Sequence, residues 1–238
     1  MLAPRRVPVS RRDRPAKPPL TREGIVAVAL RIEAEEGLDK VTMRRVATEL
    51  DTGAASLYVY VQNTAELHGA ILDELLATID LTLDPDVLIG PGWRPRLLDL
   101  LVDYTTLLYS RPALARSVLV LRPTGPNYLH LLDAVLSLLA AGQVPVPRAA
   151  WGVDVLLQHA TSTAAEHGTR DERGDDGVDF DAFAHALTSA APQTYPAISR
   201  VAEHLMSGTG PQRLRWAFGV VVAGISVEPA PDEIANQG

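Results

Sequence analysis

No cysteine occurs in the 238 residues. Disulfide scaffolds, thiolate metal sites and cysteine nucleophiles are therefore excluded together. Aromatic residues make up 5%, and lysine appears only as Lys17 and Lys40, so nearly all positive charge is arginine. Long apolar runs are missing as well. The longest, Trp216 to Ile225, is far short of the roughly 18 residues a membrane span requires. The arginine-rich start has no apolar segment behind it, unlike a signal peptide. What is present is a 47% hydrophobic composition, enough for a substantial core in one large or two small domains. These features lead to the expectation of a cytoplasmic globular protein with no membrane partner.

The net charge of −7 taken whole argues against a polyanionic partner. Its distribution argues otherwise. Residues 1–62 carry 11 Lys/Arg against 8 Asp/Glu, and residues 63–238 carry 11 against 21. The first 19 residues hold Arg5, Arg6, Arg11, Arg12, Arg14 and Lys17 against Asp13, with five prolines and no apolar period. This stretch reads as a disordered basic arm. It is either a chain end without a role or an arm that tracks a nucleic-acid backbone or minor groove, where Arg11, Arg12, Arg14 and Lys17 would act.

Apolar periodicity predicts helices nearly throughout and no hairpin. A first helix runs from Thr21, a capping residue, to about Gly37, with Ile25, Val28, Ala29 and Ile32 as its buried stripe. Thr42 caps a second, striped by Met43, Val46, Ala47 and Leu50. Asp51-Thr52-Gly53 forms a turn, and a short third helix follows from Ala54 to Tyr60, with Leu57 and Val61 pointing inward. Asn63 caps a fourth, paired with Glu66. Two short helices joined by a glycine-containing turn, with a preceding helix to pack on, make a helix-turn-helix. Its second helix must be slim at its outer N-terminal end to enter a major groove, and Ala54, Ala55 and Ser56 meet that need. Spacing alone leaves open an ordinary helical hairpin with Tyr58 and Tyr60 as surface aromatics.

The stretch Val41-Thr42-Met43-Arg44-Arg45-Val46-Ala47, then Leu50 through Val61 with its Ser56-Leu57-Tyr58-Val59-Tyr60-Val61 core, then Asn63-Thr64-Ala65-Glu66-Leu67, resembles the DNA-binding domain of TetR-family repressors. The likeness is strongest over residues 21–72. Trp93, Arg122-Pro123-Thr124 and the helix-rich remainder are similar in layout to the tetracycline-repressor branch. The resemblance implies an all-α fold, with an N-terminal three-helix DNA-binding domain and a C-terminal helical ligand-binding and dimerisation domain. It implies a bacterial, cytoplasmic regulator, at the nucleoid when bound. It places Arg44 at a base edge with Arg45 beside it, Ala54, Ala55 and Ser56 near bases, and Thr42, Tyr58 and Tyr60 at phosphates. Three departures stand out. Asp51 replaces the usual glycine after the second helix, Thr52 replaces an apolar turn residue, and Thr64 with Val59 replaces common cations. The basic arm is expected to compensate for the lost charge.

Beyond the Pro85–Pro91 break, helical patterns run over 93–110, 112–121, 125–142, 147–168, 179–189, 195–207 and 211–226. Polar residues set in their apolar faces are the small-molecule candidates: Tyr104, Asn127, His130, Trp151, Gln158, His159 and Thr163. His159 and His167 are too far apart for a zinc pair. Val118 and Leu100 stand where the tetracycline branch holds its magnesium–drug chelate, so a more apolar ligand and no metal or other cofactor are expected. Residues 170–177 lack a calcium-loop alternation and read as a mobile loop. Ala149 to His167 and Pro211 to Ile225 are the segments expected to pair two copies of the chain.

The organisation predicted is an arm over 1–19, a helix-turn-helix domain over 20–66, a ligand-binding and dimerisation domain over 67–228, and a disordered tail over 229–238. The function expected is a homodimeric, non-enzymatic repressor released from a pseudo-palindromic operator by a small molecule. The alternative is a ligand-binding or adaptor protein with a degenerate helix-turn-helix.

Overall fold

The computed structural model describes residues 19–174, 176–231 and 233. The described residues form twelve α-helices and one 3-10 turn, with no strand among them. In order these are α1 (Arg22–Glu36), the 3-10 turn (Leu38–Lys40), α2 (Met43–Glu49), α3 (Ala54–Leu57), α4 (Thr64–Leu76) and α5 (Pro85–Ile89). There follow α6 (Trp93–Tyr109), α7 (Pro112–Val118), α8 (Pro126–Ala141), α9 (Val146–Arg173), α10 (Asp176–Thr188), α11 (Pro196–Leu205) and α12 (Gly210–Val227).

Helix starts follow from local chemistry. The Thr21 hydroxyl accepts from the Gly24 N–H at 3.0 Å, and Thr42 accepts from Arg45 N–H at 3.1 Å. Asn63 accepts from Glu66 N–H at 2.8 Å, while the Glu66 carboxylate accepts from Gln62 N–H at 2.7 Å. Thr209 and Gln212 form a full capping box on α12. Each of these satisfies a backbone donor that the helix itself cannot. Proline stands in the first turn of α5, α7, α8, α9, α11 and α12, where its missing N–H removes no intrahelical bond.

One core runs through the molecule. Ile25, Ile32, Val46, Leu57 and Val61 are fully buried under the first three helices, and Leu67, Ile71 and Leu72 of α4 continue that core into Leu97, Leu101, Leu131, Leu138 and Leu156. Helices α6, α7 and α9 pack together at the centre, with α8 and α12 against them. At Gly152 the side chain of Ile225 comes so close that a Cβ would force it to move, so α9 and α12 cross tightly there.

The structure departs from the expected elements or adds to them at several points. The Pro85–Pro91 break contains the helix α5, capped by Asp84. The third helix stops at Leu57, and Tyr58–Tyr60 form a turn in which the N–H groups of Tyr60 and Val61 both reach Leu57 O; this tightening puts Val61 in the core. Helix α9 runs through residues 170–173, which were expected to lie in a mobile loop. Arg170 pairs with Glu166 and Arg116 with Glu172 along its last turns, and Gly174 ends it in the left-handed conformation. The first residues of the expected disordered tail are held, with Ala230 buried and Glu233 paired to Arg148 at 2.9 Å. Asp51 adopts the left-handed conformation that glycine usually supplies, at φ 50°. There Thr52 N–H donates to Ala47 O and Asp51 N–H to Thr48 O, the closing bonds of a Schellman turn.

Candidate DNA-facing helices and ligand pocket

The helix-turn-helix is built by burying one side of two short helices and leaving the other outward. Met43, Val46, Ala47 and Leu57 face the core, so Thr42, Arg44, Ala55 and Ser56 are exposed and Ala54 is half-buried. Tyr58 is 53% exposed and Tyr60 36%, extending the same edge beyond α3. Arg45 is the exception among the residues expected on this face. Its guanidinium donates to Glu36 at 2.6 Å and to Glu49 at 2.6 Å, and Arg31 of α1 donates to the same Glu49 at 2.7 Å. One residue along a helix turns the side chain by about 100°, which separates Arg44 outward from Arg45 toward α1. These guanidinium contacts hold the Glu49 carboxyl down at about 2 and raise both arginines. Arg11, Arg12, Arg14 and Lys17 lie outside the described residues.

Helix α4 starts immediately after the Tyr58–Tyr60 turn and carries two ties into the rest of the chain. His68 Nδ1 shares a hydrogen bond with Ser117 Oγ of α7 at 2.9 Å; burial pushes the His68 imidazole below its ordinary value. Asp73, itself buried, accepts from the Tyr128 N–H at 2.9 Å and from the Asn127 amide at 3.3 Å. A carboxylate here satisfies a free donor in the first turn of α8 and faces the positive end of that helix. Gly125 lies against the Asp73 carboxylate with no room for a Cβ, so only glycine permits the approach.

Behind these ties lies a cavity of about 480 Å³ among α6, α7, α8 and α9. Its walls are mixed: Val118, Leu119, Leu121, Leu132, Val153 and Leu157 are apolar members, and Tyr104, Arg122, Tyr128, Asp154, Gln158 and Thr161 are polar ones. Tyr104 is fully buried and hydrogen-bonded to Thr161 at 3.1 Å. Burial pushes both tyrosine hydroxyls up, and the charge of Asp154 adds to the effect on Tyr128. Arg122 also borders a second crevice, shared with Arg22, Gln62 and Asp73, between α4 and the segment 121–126. The strap around Arg122 thus separates the cavity from the base of the DNA-facing helices.

Of the seven residues expected at a ligand, the structure brings Tyr104 and Gln158 to this cavity. Asn127 is engaged with Asp73 instead. His130 is exposed, Trp151 is 55% exposed, and His159 packs edge-on against Phe218 of α12 at 5.3 Å. Thr163 is half-buried away from the lining. The missed members on α9 obey the helical period: Asp154 and Thr161 lie four residues before and three after Gln158, on one face with it. The same rule turns His159 and Trp151 toward α12 or solvent. Tyr128 carried no comparable signal, because its inward direction depends on the crossing of α8 over α9.

A third feature is an uncovered apolar face. Trp216 is 72% exposed, and Val220 and Val227 stand out beside it on α12, with Trp151 and Val155 on α9. Only Phe218 and Val222 of α12 are fully buried. Helix α11 has no buried residue, and its Val201 and Leu205 are exposed, as are Phe180 and Phe183 of α10. Among the described residues no helix is long and apolar enough to cross a membrane, and no cluster of three metal-ligating side chains occurs.

Comparison with known proteins agrees with this geometry. Residues 25–71 match the family of bacterial regulatory proteins described as the tetR family, and residues 89–228 match the tetracyclin repressor-like C-terminal domain. A Streptomyces protein, SCO7704, named as a transcription regulator, is 50% identical, with a TM-score of 0.74 over 90% of this chain and 98% of that one. ActR from Streptomyces coelicolor, solved in complex with actinorhodin, is 29% identical, with a TM-score of 0.76 over 89% of this chain and 99% of that one. The HTH-type transcriptional repressor DrrR1 of Streptomyces coeruleorubidus is 37% identical over 130 residues, which are 54% of this chain and 47% of that repressor; the match thus spans about half of that relative's length. With one family match on the helix-turn-helix and another over more than half the chain, this protein belongs to the TetR family of bacterial regulatory proteins.

Proposed function

We propose that the chain is a ligand-responsive DNA-binding repressor that acts as a two-fold dimer. The observation that carries this is α4, whose first turn follows the exposed Tyr58–Tyr60 edge and whose later turns are bonded to residues beside the cavity. Arg44 reads a base edge, the slim Ala54–Ser56 end approaches bases, and Thr42, Tyr58 and Tyr60 hold phosphates. Arg45 acts behind the face, fixing α2 against α1 through Glu36 and Glu49. Arg11, Arg12, Arg14 and Lys17 supply phosphate charge from the arm. The exposed faces of α9 and α12 pair two chains, so that their reading helices meet half-sites about 34–36 Å apart.

A molecule in the cavity presses on Tyr128, Val118 and Leu119, the immediate neighbours of the groups that grip α4. Through Asp73 and His68 it biases α4 toward positions in which the two reading helices no longer match one operator. It does so only by its differential affinity for the two arrangements. A stretch near residue 66 divides the DNA-facing part from the sensing part, and α4 spans it.

The test is selection of an operator from a pool of random duplexes with the full chain, followed by titration across a salt series with and without actinorhodin as the first probe. A sequence-selective complex, loosened by a small molecule, is expected. Binding that is absent or indifferent to sequence would overturn the repressor reading in favour of an adaptor with a degenerate helix-turn-helix.

A further inference from the structure

Few of the described cations in the helix-turn-helix domain stand ready to meet a phosphate backbone. Arg31 and Arg45 are bound to Glu49 and Glu36 at 2.6 to 2.7 Å, which turns both guanidinium groups toward the protein. Lys40 lies on the 3-10 turn, the element that packs on α7. Arg44 faces outward on α2, at the base edge already assigned to it. There remains Arg22, the first residue of α1, with half of its side chain exposed. Its guanidinium stands 3.9 Å from Oε1 of Glu66, beyond hydrogen-bond length. The other oxygen of that carboxylate, Oε2, accepts from the Gln62 N–H at 2.7 Å. Glu66 is thus fixed by the cap of α4 and does not close on the arginine.

Position makes this loose pair informative. Arg22 lines one crevice with Gln62, Asn63 and Ala65, the stretch that follows directly on the exposed Tyr58–Tyr60 edge. Residues 58–65 themselves contain no lysine or arginine, so that edge has hydroxyls and backbone donors for a phosphate but no charge of its own. A half-exposed ion pair at this separation contributes little. A phosphate, in contrast, offers the planar guanidinium two parallel charge-assisted hydrogen bonds. We propose that Arg22 is a DNA-backbone residue: it leaves Glu66 for the phosphate beside the start of α4 and supplies the positive charge that residues 58–65 lack. This rests on the DNA-binding reading and adds to it a contact from α1, separate from the arm.

Fluorescence-anisotropy titration of the full chain against its selected operator, across a salt series, tests this. Arg22→Gln is expected to weaken binding about tenfold at moderate salt. It should also take about two units off the slope of log affinity against log salt, one for each chain of the dimer. Base preference stays unchanged, because a phosphate contact carries no sequence information. Arg22→Lys keeps the charge and is expected to retain the slope, with a smaller loss of affinity from the missing second hydrogen bond. The contact is located with duplexes that carry one uncharged methylphosphonate at a time. Among the positions that weaken binding of the unaltered chain, one in each half-site becomes silent for Arg22→Gln. Loss of affinity at unchanged slope in Arg22→Gln would make Arg22 a mere support of α4 and overturns the proposal. So does a slope lost equally in Arg22→Lys, or a methylphosphonate pattern identical for the unaltered chain and Arg22→Gln. The DNA-binding reading is scored separately, by whether the unaltered chain selects an operator; if it selects none, both fall.

Discussion

The DNA-facing helices and the sensing helices solve opposite problems with the same secondary structure. Helices α2 and α3 are 7 and 4 residues long and keep one side open, so their support comes from behind. Part of that support is a fully buried Leu57 and Val61, and part is the Arg45–Glu36–Glu49–Arg31 network. Around the cavity, α6 and α9 are 17 and 28 residues long and bury enough of their surfaces to enclose a space. Its buried polar groups are paired, as in the Tyr104–Thr161–Leu157 chain, while its charges, Arg122 and Asp154, stand exposed to water. A reading face can rely on charges that water screens, whereas an enclosed site can hold only polar groups whose partners are fixed, because an unmade bond in low dielectric is expensive.

That contrast can be attacked experimentally, starting with what both regions share. Replacing Trp216 and Val220 together by Asp places charges on the uncovered face of α12. The chain is expected to sediment as a monomer and to lose at least about a hundredfold in operator affinity, because one half-site contributes only part of the binding free energy. Next in size is Arg44→Ala, expected to weaken operator binding by about ten- to a hundredfold and to relax selectivity at one base pair, the signature of removing a bidentate hydrogen bond to a base. Arg45→Ala should instead lower thermal stability while leaving base preference unchanged. Equal loss of selectivity in both variants would erase the distinction drawn between them.

Asp73→Ala is expected to leave ligand binding and ligand-free operator binding within about threefold, yet to cut the factor by which ligand weakens operator binding by about tenfold, a typical coupling free energy. Asp73→Asn, which keeps one acceptor, should retain more of that coupling, and it serves where the alanine variant folds poorly. Deleting residues 1–19 should lower operator affinity and flatten its dependence on salt, since each phosphate that the arm no longer neutralises takes about one unit off the slope. The smallest effect concerns acid. Glu49 is held at about 2 in the folded chain, below an ordinary carboxylate. Its contribution is complete above the ordinary carboxylate value and fades as pH falls toward 2. Glu49→Gln should therefore lower stability slightly near neutrality and converge on the unaltered chain as pH falls toward 2, so that part of the acid-side loss disappears in a pH series of thermal melts.

Legibility followed the range of the interactions. Thr21, Thr42 and Asn63 announce helix starts because a capping bond spans three residues, and the stripe of Met43, Val46 and Ala47 fixes which side of α2 is buried. Asp51 was readable as an oddity, but its left-handed conformation became evident only with the turn formed. At the cavity the same local rules failed for Trp151, His159 and Thr163. Each lies in an apolar-looking helix, but α9 has cavity, α12 and solvent on different sides, and composition does not say which is which. Asp73 was missed altogether, since its partners are more than fifty residues away in sequence.

The sequence alone determined the helices, their caps, the helix-turn-helix with its exposed Arg44 and Tyr58 edge, and the concentration of positive charge before residue 63. All of these depend on neighbours within about one or two turns of chain. Tertiary structure decided that Arg45 turns to α1, that Asp73 grips α8, and that Tyr104 is buried in a hydrogen bond with Thr161. Those outcomes depend on how helices cross, and a crossing is set by the packing of whole faces against one another.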